Sequence, residues 1–491
     1  MNDHLLKRYS SLVDEPDKLW SASHLPLPTC IWSNGLKTSE HVLLHELSRR
    51  DIHLDSVAWC HGAFRSQAWA KPGEPVPYLM GWYLIQEEIA MTAVHALAPD
   101  PGDRVLDLCA APGNKTVQIA SRLSPGGIVV ANEWNTGRLS SLWNAIARMG
   151  VMNVATMNAD GRTLPLPNHT FDRVLVDVPC SGEGTLRKHP RRDWSVGNTM
   201  KAIARLVPIQ KRLLHRALDL VKPGGVVVYS TCTFSPEENE AVLDAVLGDR
   251  AVVEPFHIQG LRHYPGLTFW DGQHLRADVV HAHRYYPHLN DTGGFFVARL
   301  RRTDAPAQGG TNFGQEHLTP NRAECAHLSW SGYTQTTDEL ALFGQRFGIA
   351  SSVVHAMQLW TKGRDKRWLT EHLDDQLGMA LQSTDIQNLG LPLFRTVQGR
   401  LKPTTAALQR LGTAITRNVI ELETPEQMAL FLEGTTQPLV PSIGHDLEDG
   451  YVHVRSRPYE LGCGLWIGGR LHSQLPKALR VKPLGAKQLS G

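Results

Sequence analysis

Between residues 86 and 303, short runs of β-branched apolar residues alternate with stretches of helical periodicity. That alternation predicts an α/β fold built on a parallel sheet wound on both faces. Two further observations point the same way. The first apolar run ends in a turn of small residues, "DLCAAPGNKT" (107–116), and the following runs end in carboxylates at Glu133, Asp160 and Asp177.

In chain order, "DRVLDLCA" (103–110) reads as a strand and "KTVQIASRL" (115–123) as a helix. "GIVVANE" (127–133) is a second strand, and "TGRLSSLWNAIARMG" (136–150) is a helix closed by a glycine C-cap. "NVATMNAD" (153–160) and "FDRVLVDVP" (171–179) give strands three and four. A helix over 200–221 stops at "KPGG", and "VVVYSTC" (226–232) is strand five. A helix over 236–248 is expected to start at Pro236, with the carboxylates of "PEENE" in its first turns, where negative charge is favourable. "GGFFVARLRR" (293–302) closes the unit as a hairpin strand. The whole is a doubly wound, Rossmann-like domain at 86–303. Residues 1–85 form a small N-terminal α/β region with a Pro-rich approach at 70–77. A polar Gly/Pro stretch at 302–321 opens a linker and middle region, 304–400. From 401 to 491, "NVIEL", "YVHVRS" and "GCGLWIGGRL" predict a small β-rich domain.

A chain of 491 residues is too long for one core, so several domains are expected. With 42% apolar and 20% charged residues it reads as an ordinary soluble protein, and no apolar run approaches the ~18–20 residues that span a bilayer. Its start has no apolar h-region, and its seven cysteines are odd in number with no C-x-x-C pair. Both features favour a reducing cytoplasm over a disulfide framework, and the 23 histidines show no metal spacing. Nothing demands more than a monomer. The net charge of +2 hides two basic clusters. One is "RKHPRR", with Arg187, Lys188, Arg191 and Arg192; the other is the tail from Tyr451, with seven basic residues, Arg470, Lys477 and Arg480 among them, against Glu460 alone. Beside a site they favour a polyanionic partner. Trp194 reads equally as a packing residue or a base-stacking platform.

Ligands of open α/β sheets bind beyond the carboxyl ends of the strands. The turn Cys109, Ala110, Ala111, Pro112, Gly113, Asn114 and Lys115 lets the backbone approach a ligand closely, but it lacks the G-x-G-x-x-G of a dinucleotide site. Glu133 stands where a carboxylate accepts hydrogen bonds from both ribose hydroxyls, and Asp160 and Asp177 continue the acidic rim. A cationic adenosine cofactor without phosphates fits this rim, and S-adenosylmethionine is such a cofactor.

Cys180, in "VDVPCSGEGT", and Cys232, in "STCTFSPEENE", each follow a strand onto that rim. A methyl donor beside thiols suggests methylation at carbon 5 of a pyrimidine. A thiolate adding to carbon 6 makes carbon 5 nucleophilic, an acid–base group contacts N3, and a base then removes the carbon-5 proton. Cys232, Cys180 and Asp177 are candidates for these roles, and the residues alone leave open which thiol attacks. Cys30, Cys60, Cys325 and Cys463 read as structural, as does Cys109 apart from backbone contact with the cofactor.

Together, "DLCAAPGNKT", "VDVPCSGEGTLRK", "GGVVVYSTCTFSPEENE" and "GGFFVARL" resemble the Sun (Fmu-type) family of RNA cytosine-5 methyltransferases over residues 80–302. The resemblance implies that Cys232 is the nucleophile, that Cys180 assists product release, and that Cys109–Lys115, Glu133, Arg138, Asp160 and Asp177 contact the cofactor. Residues 450–481 resemble the PUA-like RNA-binding end of bacterial RsmF-type enzymes, implying RNA, ribosomal 16S RNA foremost, as the partner. Asn114 departs from the glycine or serine usual at its position, and "LPTCIWSNGLKTSE" departs from the family's Arg-Asn-Thr run. The alternatives are a transfer RNA substrate, an amino-methyltransferase, or a non-catalytic RNA-binding or ribosome-assembly factor on the same fold. Against the second, "DVPC" carries a thiol where the amino-methyltransferase motif has an aromatic.

Overall fold

The computed structural model describes residues 3–303, 329–330, 333–363, 366–371, 373, 375–381, 384–397, 400–439 and 447–481. Most of the predicted 302–321 linker, Cys325, Lys482 and Lys487 lie outside the described residues.

Five parallel strands form the centre: β1 (Arg104–Asp107), β2 (Ile128–Asn132), β3 (Val154–Met157), β4 (Phe171–Asp177) and β5 (Val221–Thr231). They are followed by β6 (His283–Tyr285), β7 (Phe295–Arg302) and β8 (Ile386–Leu389). Across the sheet the order is β6-β7-β5-β4-β1-β2-β3-β8, with β7 antiparallel to β5 and β8 antiparallel to β3. Strand β1 is flanked by β2 on one side and β4 on the other, which creates the switch point where the sheet's ligand crevice opens. Both faces are covered, by α1 (Asn114–Leu123), α2 (Thr136–Met149), α3 (Val196–Leu220) and α4 (Glu240–Leu247). The fold is therefore the Rossmann-like one read from the sequence.

Three local expectations change. Helix α3 begins at Val196, and β5 starts immediately after it at Val221, taking in the "KPGG" that was read as a connection. Helix α4 begins at Glu240, not Pro236. Of the carboxylates expected in its first turns only Glu240 lies there; Glu237 and Glu238 precede the helix, Glu238 and Glu240 are fully buried, and Glu237 is held by Arg8 and Ser235, so they act as internal ties. The third change concerns the middle region. It holds a six-stranded antiparallel sheet running from Ser329 to Pro403, and it lends β8 to the outer edge of the central sheet. An edge strand with unpaired backbone groups is a liability, and β8 covers the edge of β3.

The N-terminal region is a four-stranded antiparallel sheet (55–56, 63–66, 29–33 and 83–85 in spatial order) with a helix, Glu40–Ser48. The tail forms a five-stranded sheet. These two parts share one apolar core, in which Ile31, Leu43, Phe64 and Tyr83 pack with Phe431, Val452, Leu461 and Trp466. Trp82 stacks on Tyr459 with ring centroids 4.8 Å apart. Lys37, half-buried, ties three parts of the chain: its Nζ donates to the carbonyls of Met80 (3.0 Å) and Arg148 (2.7 Å) and to Gln409 Oε1 (3.3 Å). The tail is thus fixed relative to the catalytic sheet. No helix of the described residues is long and apolar enough to cross a membrane.

Candidate active site

The cofactor side is built where β1 gives way to α1. Gly113 has φ +107, and a Cβ there would stand 3.0 Å from Leu142 Cδ1 and 3.1 Å from Ala145 Cβ, so only glycine lets α1 start this close to α2. Asn114 Nδ2 donates to the Ile85 carbonyl (2.9 Å), anchoring the turn to the N-terminal region; the unusual asparagine therefore has a structural partner. At the end of β2, buried Glu133 accepts from the backbone N–H of Asn135 (2.8 Å) and Ala111 (3.3 Å), while Arg138 bonds the Ala111 carbonyl and stands 3.5 Å from Glu133. Asp160 is gripped by both Nε and a terminal nitrogen of Arg162. Trp134, 69% exposed on the same rim, was not singled out from the sequence, because an isolated tryptophan after a strand carries no periodic signal.

Asp107 supplies a test of the cofactor. Its Oδ2 accepts from Thr116 Oγ1 (2.7 Å), while Oδ1 is buried without a partner. Burial pushes its pKa up to about 7. An orphaned carboxylate oxygen beneath a small-residue turn, with Glu133 and Asp177 nearby, suits a cationic group and repels a phosphate. The residues present fit S-adenosylmethionine.

On the other side of the switch point, β4 and β5 carry the thiols. The register pairs Asp177 with Ser230, so the loops that follow leave the sheet together. Cys180 Sγ and Cys232 Sγ are 3.3 Å apart and both partly exposed. Cys180's pKa rises well above the ordinary thiol value, first through its hydrogen bond with Cys232 and then through burial. Asp177 accepts from Lys115 Nζ (2.7 Å) and Ser230 Oγ (2.7 Å). Burial works against the Lys115 ammonium, but Asp177 overrides it and the lysine's pKa rises. Lys115 lies over the Phe295 ring, 5.3 Å from its centroid, and interacts electrostatically with Cys232. Gly184 packs into this corner: its N–H donates to the Cys232 carbonyl (2.9 Å), and a Cβ would stand 2.1 Å from the Gly294 carbonyl oxygen. The structure therefore brings Cys180, Cys232, Asp177 and Lys115 together beside the cofactor turn.

The basic residues divide. Arg187 is corrected: its side chain is 1% exposed, and its donors are spent on the carbonyls of Leu25 (3.1 Å), Pro26 (2.5 Å) and Thr292 (2.9 Å) and on Asp291 (2.7 Å). It ties the N-terminal segment to the 291–292 turn, with four of its five N–H donors used internally and its side chain buried away from a phosphate. Lys188, Arg191 and Arg192 are exposed on the loop that precedes α3, with Arg192 4.4 Å over the ring of Trp194. Trp194 is buried, its Nε1 donating to the His189 carbonyl (3.0 Å), so it packs and offers no platform to a base. Arg470, on the last strand of the tail sheet, and Lys477 and Arg480, in the turn that follows it, are exposed. Among the described residues no cluster of His, Cys, Asp or Glu is placed to hold a metal ion.

Comparison with known proteins places this geometry among RNA methyltransferases. Residues 94–301 match the family described as 16S rRNA methyltransferase RsmB/F, and residues 417–481 match the methyltransferase RsmF PUA domain. The ribosomal RNA small subunit methyltransferase F of Aeromonas salmonicida is 30% identical over 97% of this chain and 96% of its own. The 28S rRNA (cytosine-C(5))-methyltransferase of Mus musculus is 35% identical over 61% of this chain and 38% of its own. Among solved structures, a methyltransferase homologue from Pyrococcus horikoshii aligns with a TM-score of 0.51 and 33% identity, covering 59% of this chain and 90% of that one.

Proposed function

This chain belongs to the RsmB/F family of S-adenosylmethionine-dependent rRNA cytosine-5 methyltransferases, and from that premise we propose that it methylates a cytosine of 16S rRNA through a covalent adduct to Cys232. The observation that carries the mechanism is the convergence of two thiols 3.3 Å apart with the Lys115–Asp177 pair. Cys232, beside the Lys115 ammonium, adds to carbon 6 through its sulfur. Asp177, holding Lys115 and Ser230 as donors, acts as a carboxylate: it accepts from the base's exocyclic amine, and the proton for N3 passes through the Lys115–Asp177 pair. Carbon 5, now enamine-like, is nucleophilic, and bound S-adenosylmethionine supplies an electrophilic methyl on its sulfonium. A base then removes the carbon-5 proton, and Cys180 assists product release by donating its S–H to the departing Cys232 sulfur, so that the Cys232–carbon 6 bond breaks and the aromatic ring returns.

The target base must leave its stack to reach this crevice, at roughly a few kcal/mol. Lys188, Arg191 and Arg192 hold flanking phosphates, and the PUA-like tail, through Arg470, Lys477 and Arg480, holds a more distant part of the RNA. We assign residues 1–85 and 401–491 to RNA binding and 86–303 to catalysis. Bisulfite sequencing of RNA from cells with and without the gene tests the substrate. One 16S rRNA cytosine losing its mark is the expected result, and loss confined to transfer RNA overturns the assignment.

Glu133 gives a separate prediction. Alanine there removes the acceptor for two turn N–H groups and for the ribose hydroxyls. Calorimetry should show S-adenosylmethionine binding weakened by roughly 10–100-fold, the worth of hydrogen bonds to a charged group. Glu133→Gln should recover part of that loss.

A further inference from the structure

Immediately behind the thiols lies a buried cluster that the mechanism above does not use. Ser181 follows Cys180, Thr233 follows Cys232, and their hydroxyl oxygens are 3.0 Å apart. Both reach the fully buried carboxyl of Glu183, and Ser181 also reaches that of Glu238. Glu183 Oε1 accepts from Tyr9 OH (2.7 Å), and its Oε2 meets both Ser181 Oγ (2.5 Å) and Thr233 Oγ1. Glu238 Oε2 also meets Ser181 Oγ, while its Oε1 accepts from the Ser181 N–H (3.0 Å) and from Gln210 Nε2 (2.8 Å).

These four close oxygen–oxygen contacts each need a proton between the atoms, and the hydroxyls of Tyr9, Ser181 and Thr233 supply only three. If Ser181 donates to Glu238, its oxygen faces a bare carboxylate at Glu183; if it donates to Glu183, it faces one at Glu238. A further proton on one of the carboxyls removes the conflict. Among the described residues no cation pairs with either carboxylate. The titratable and charged groups facing the pair are Tyr9 from the N-terminal segment, Cys180 and Cys232 from the two loops, and Tyr229 from β5. Arg192 adds its reach to the Ser181 carbonyl (3.2 Å), and beyond Tyr9 and α4 lie the Arg8–Glu237 and Arg284–Glu240 pairs.

We infer that Glu183 and Glu238 share one extra proton, held on Glu238, and that this singly charged pair is a positioning device that brackets the Cys180 and Cys232 loops and keeps a second negative charge away from the thiols. Glu238 donates to Ser181, Ser181 donates to Glu183, and Glu183 collects three hydroxyl protons as the carboxylate. Burial raises the pKa of Glu238, with the neighbouring Glu183 adding to the effect, and the direction agrees with a proton retained there. A charge on Glu238 is one of the causes that raise the Cys180 thiol, and a proton held on Glu238 removes that contribution.

The sign of the pH dependence follows. For a carboxyl raised in the folded state, the stabilisation is complete below the unfolded value of about 4.3 and is lost as pH rises through the folded value. Wild type should therefore lose thermal stability, and adduct formation with 5-azacytidine RNA, on the alkaline side; Glu238→Gln, which replaces a neutral acid by a neutral amide, should lack that descending limb. At neutral pH Glu238→Gln is expected to react within about threefold of wild type, and Glu183→Gln to lose roughly thirtyfold or more, since an amide cannot accept three hydroxyl protons. An infrared difference spectrum of wild type minus Glu238→Gln should contain a protonated-carboxyl C=O band. The kinetic arm rests on the thiol roles proposed above, whereas the infrared and unfolding arms do not, so the two readings fail separately. Absence of that band, or a Glu238→Gln defect as severe as that of Glu183→Gln, overturns the inference. If Glu238→Gln does not fold, the same band must shift in Ser181→Ala, and a spectrum unchanged by that substitution overturns it equally.

Discussion

Cys232→Ala is expected to abolish methylation, by roughly four to six orders of magnitude, whereas Cys180→Ala should leave the protein covalently linked to unmodified cytosine RNA. The two thiols are 3.3 Å apart, so position alone lets either reach the same ring carbon, and electrostatics must separate them. Cys180's pKa is raised by its hydrogen bond with Cys232 and by burial, the direction of a thiol that keeps its proton and can donate it to Cys232. Cys232 instead receives the field of Lys115, which Asp177 holds in its ammonium form. A thiolate beside an ammonium and an S–H donor is the reactive partner of the pair. RNA carrying 5-azacytidine separates the roles: its ring has no carbon-5 proton to lose, so attack by Cys232 leaves a denaturation-resistant adduct. Wild type and Cys180→Ala should form that adduct and Cys232→Ala should not. With ordinary cytosine, Cys180→Ala should complete a first methyl transfer and then stall. An adduct that survives Cys232→Ala reverses the two assignments.

Both thiols, the acidic rim and the succession of the central strands along the chain were legible in the sequence because each is written locally. A strand period, a small-residue turn and a cysteine at a strand end all fall within about ten residues. What escaped is what depends on distant partners. Arg187 looked like one of four cations in a basic cluster, yet its guanidinium is bound by residues 25, 26, 291 and 292, more than a hundred positions away in either direction. "PEENE" looked like the acidic start of a helix, yet Glu238 reaches Ser181 and Glu240 reaches Arg284. The edge strand β8 belongs to a stretch with no strong period, and its place beside β3 is fixed by pairing across more than two hundred residues. Charge in a short motif states a need for partners without saying whether those partners are solvent, RNA or the protein itself.

The Arg284–Glu240 pair carries the largest structural prediction. Arg284 Nε and one terminal nitrogen each lie 2.6 Å from a different Glu240 oxygen, and its other terminal nitrogen donates to the Phe234 carbonyl (3.0 Å) and to Tyr286 OH (2.9 Å). Glu240 also accepts from the Leu267 N–H (3.0 Å). The two side chains are 3% and 0% exposed, so neither charge has water to fall back on. Arg284→Met strands a buried carboxylate, and Glu240→Gln strands a buried guanidinium; each is expected to cost about 3–5 kcal/mol. In a chain with several cores, global melting mixes unrelated transitions, so the loss is better read as reduced hydrogen-exchange protection of β5, β6 and β7. Joint replacement by methionine and leucine removes both charges and should restore most of that protection, because the Coulomb gain of a buried pair roughly offsets its desolvation cost. Methylation should not return with it. Phe234 lies two residues beyond Cys232, and its carbonyl loses the guanidinium donor in the double variant as in Arg284→Met. Restored protection together with full activity would show that the pair serves stability alone; restored protection without activity places it among the ties that aim the nucleophile.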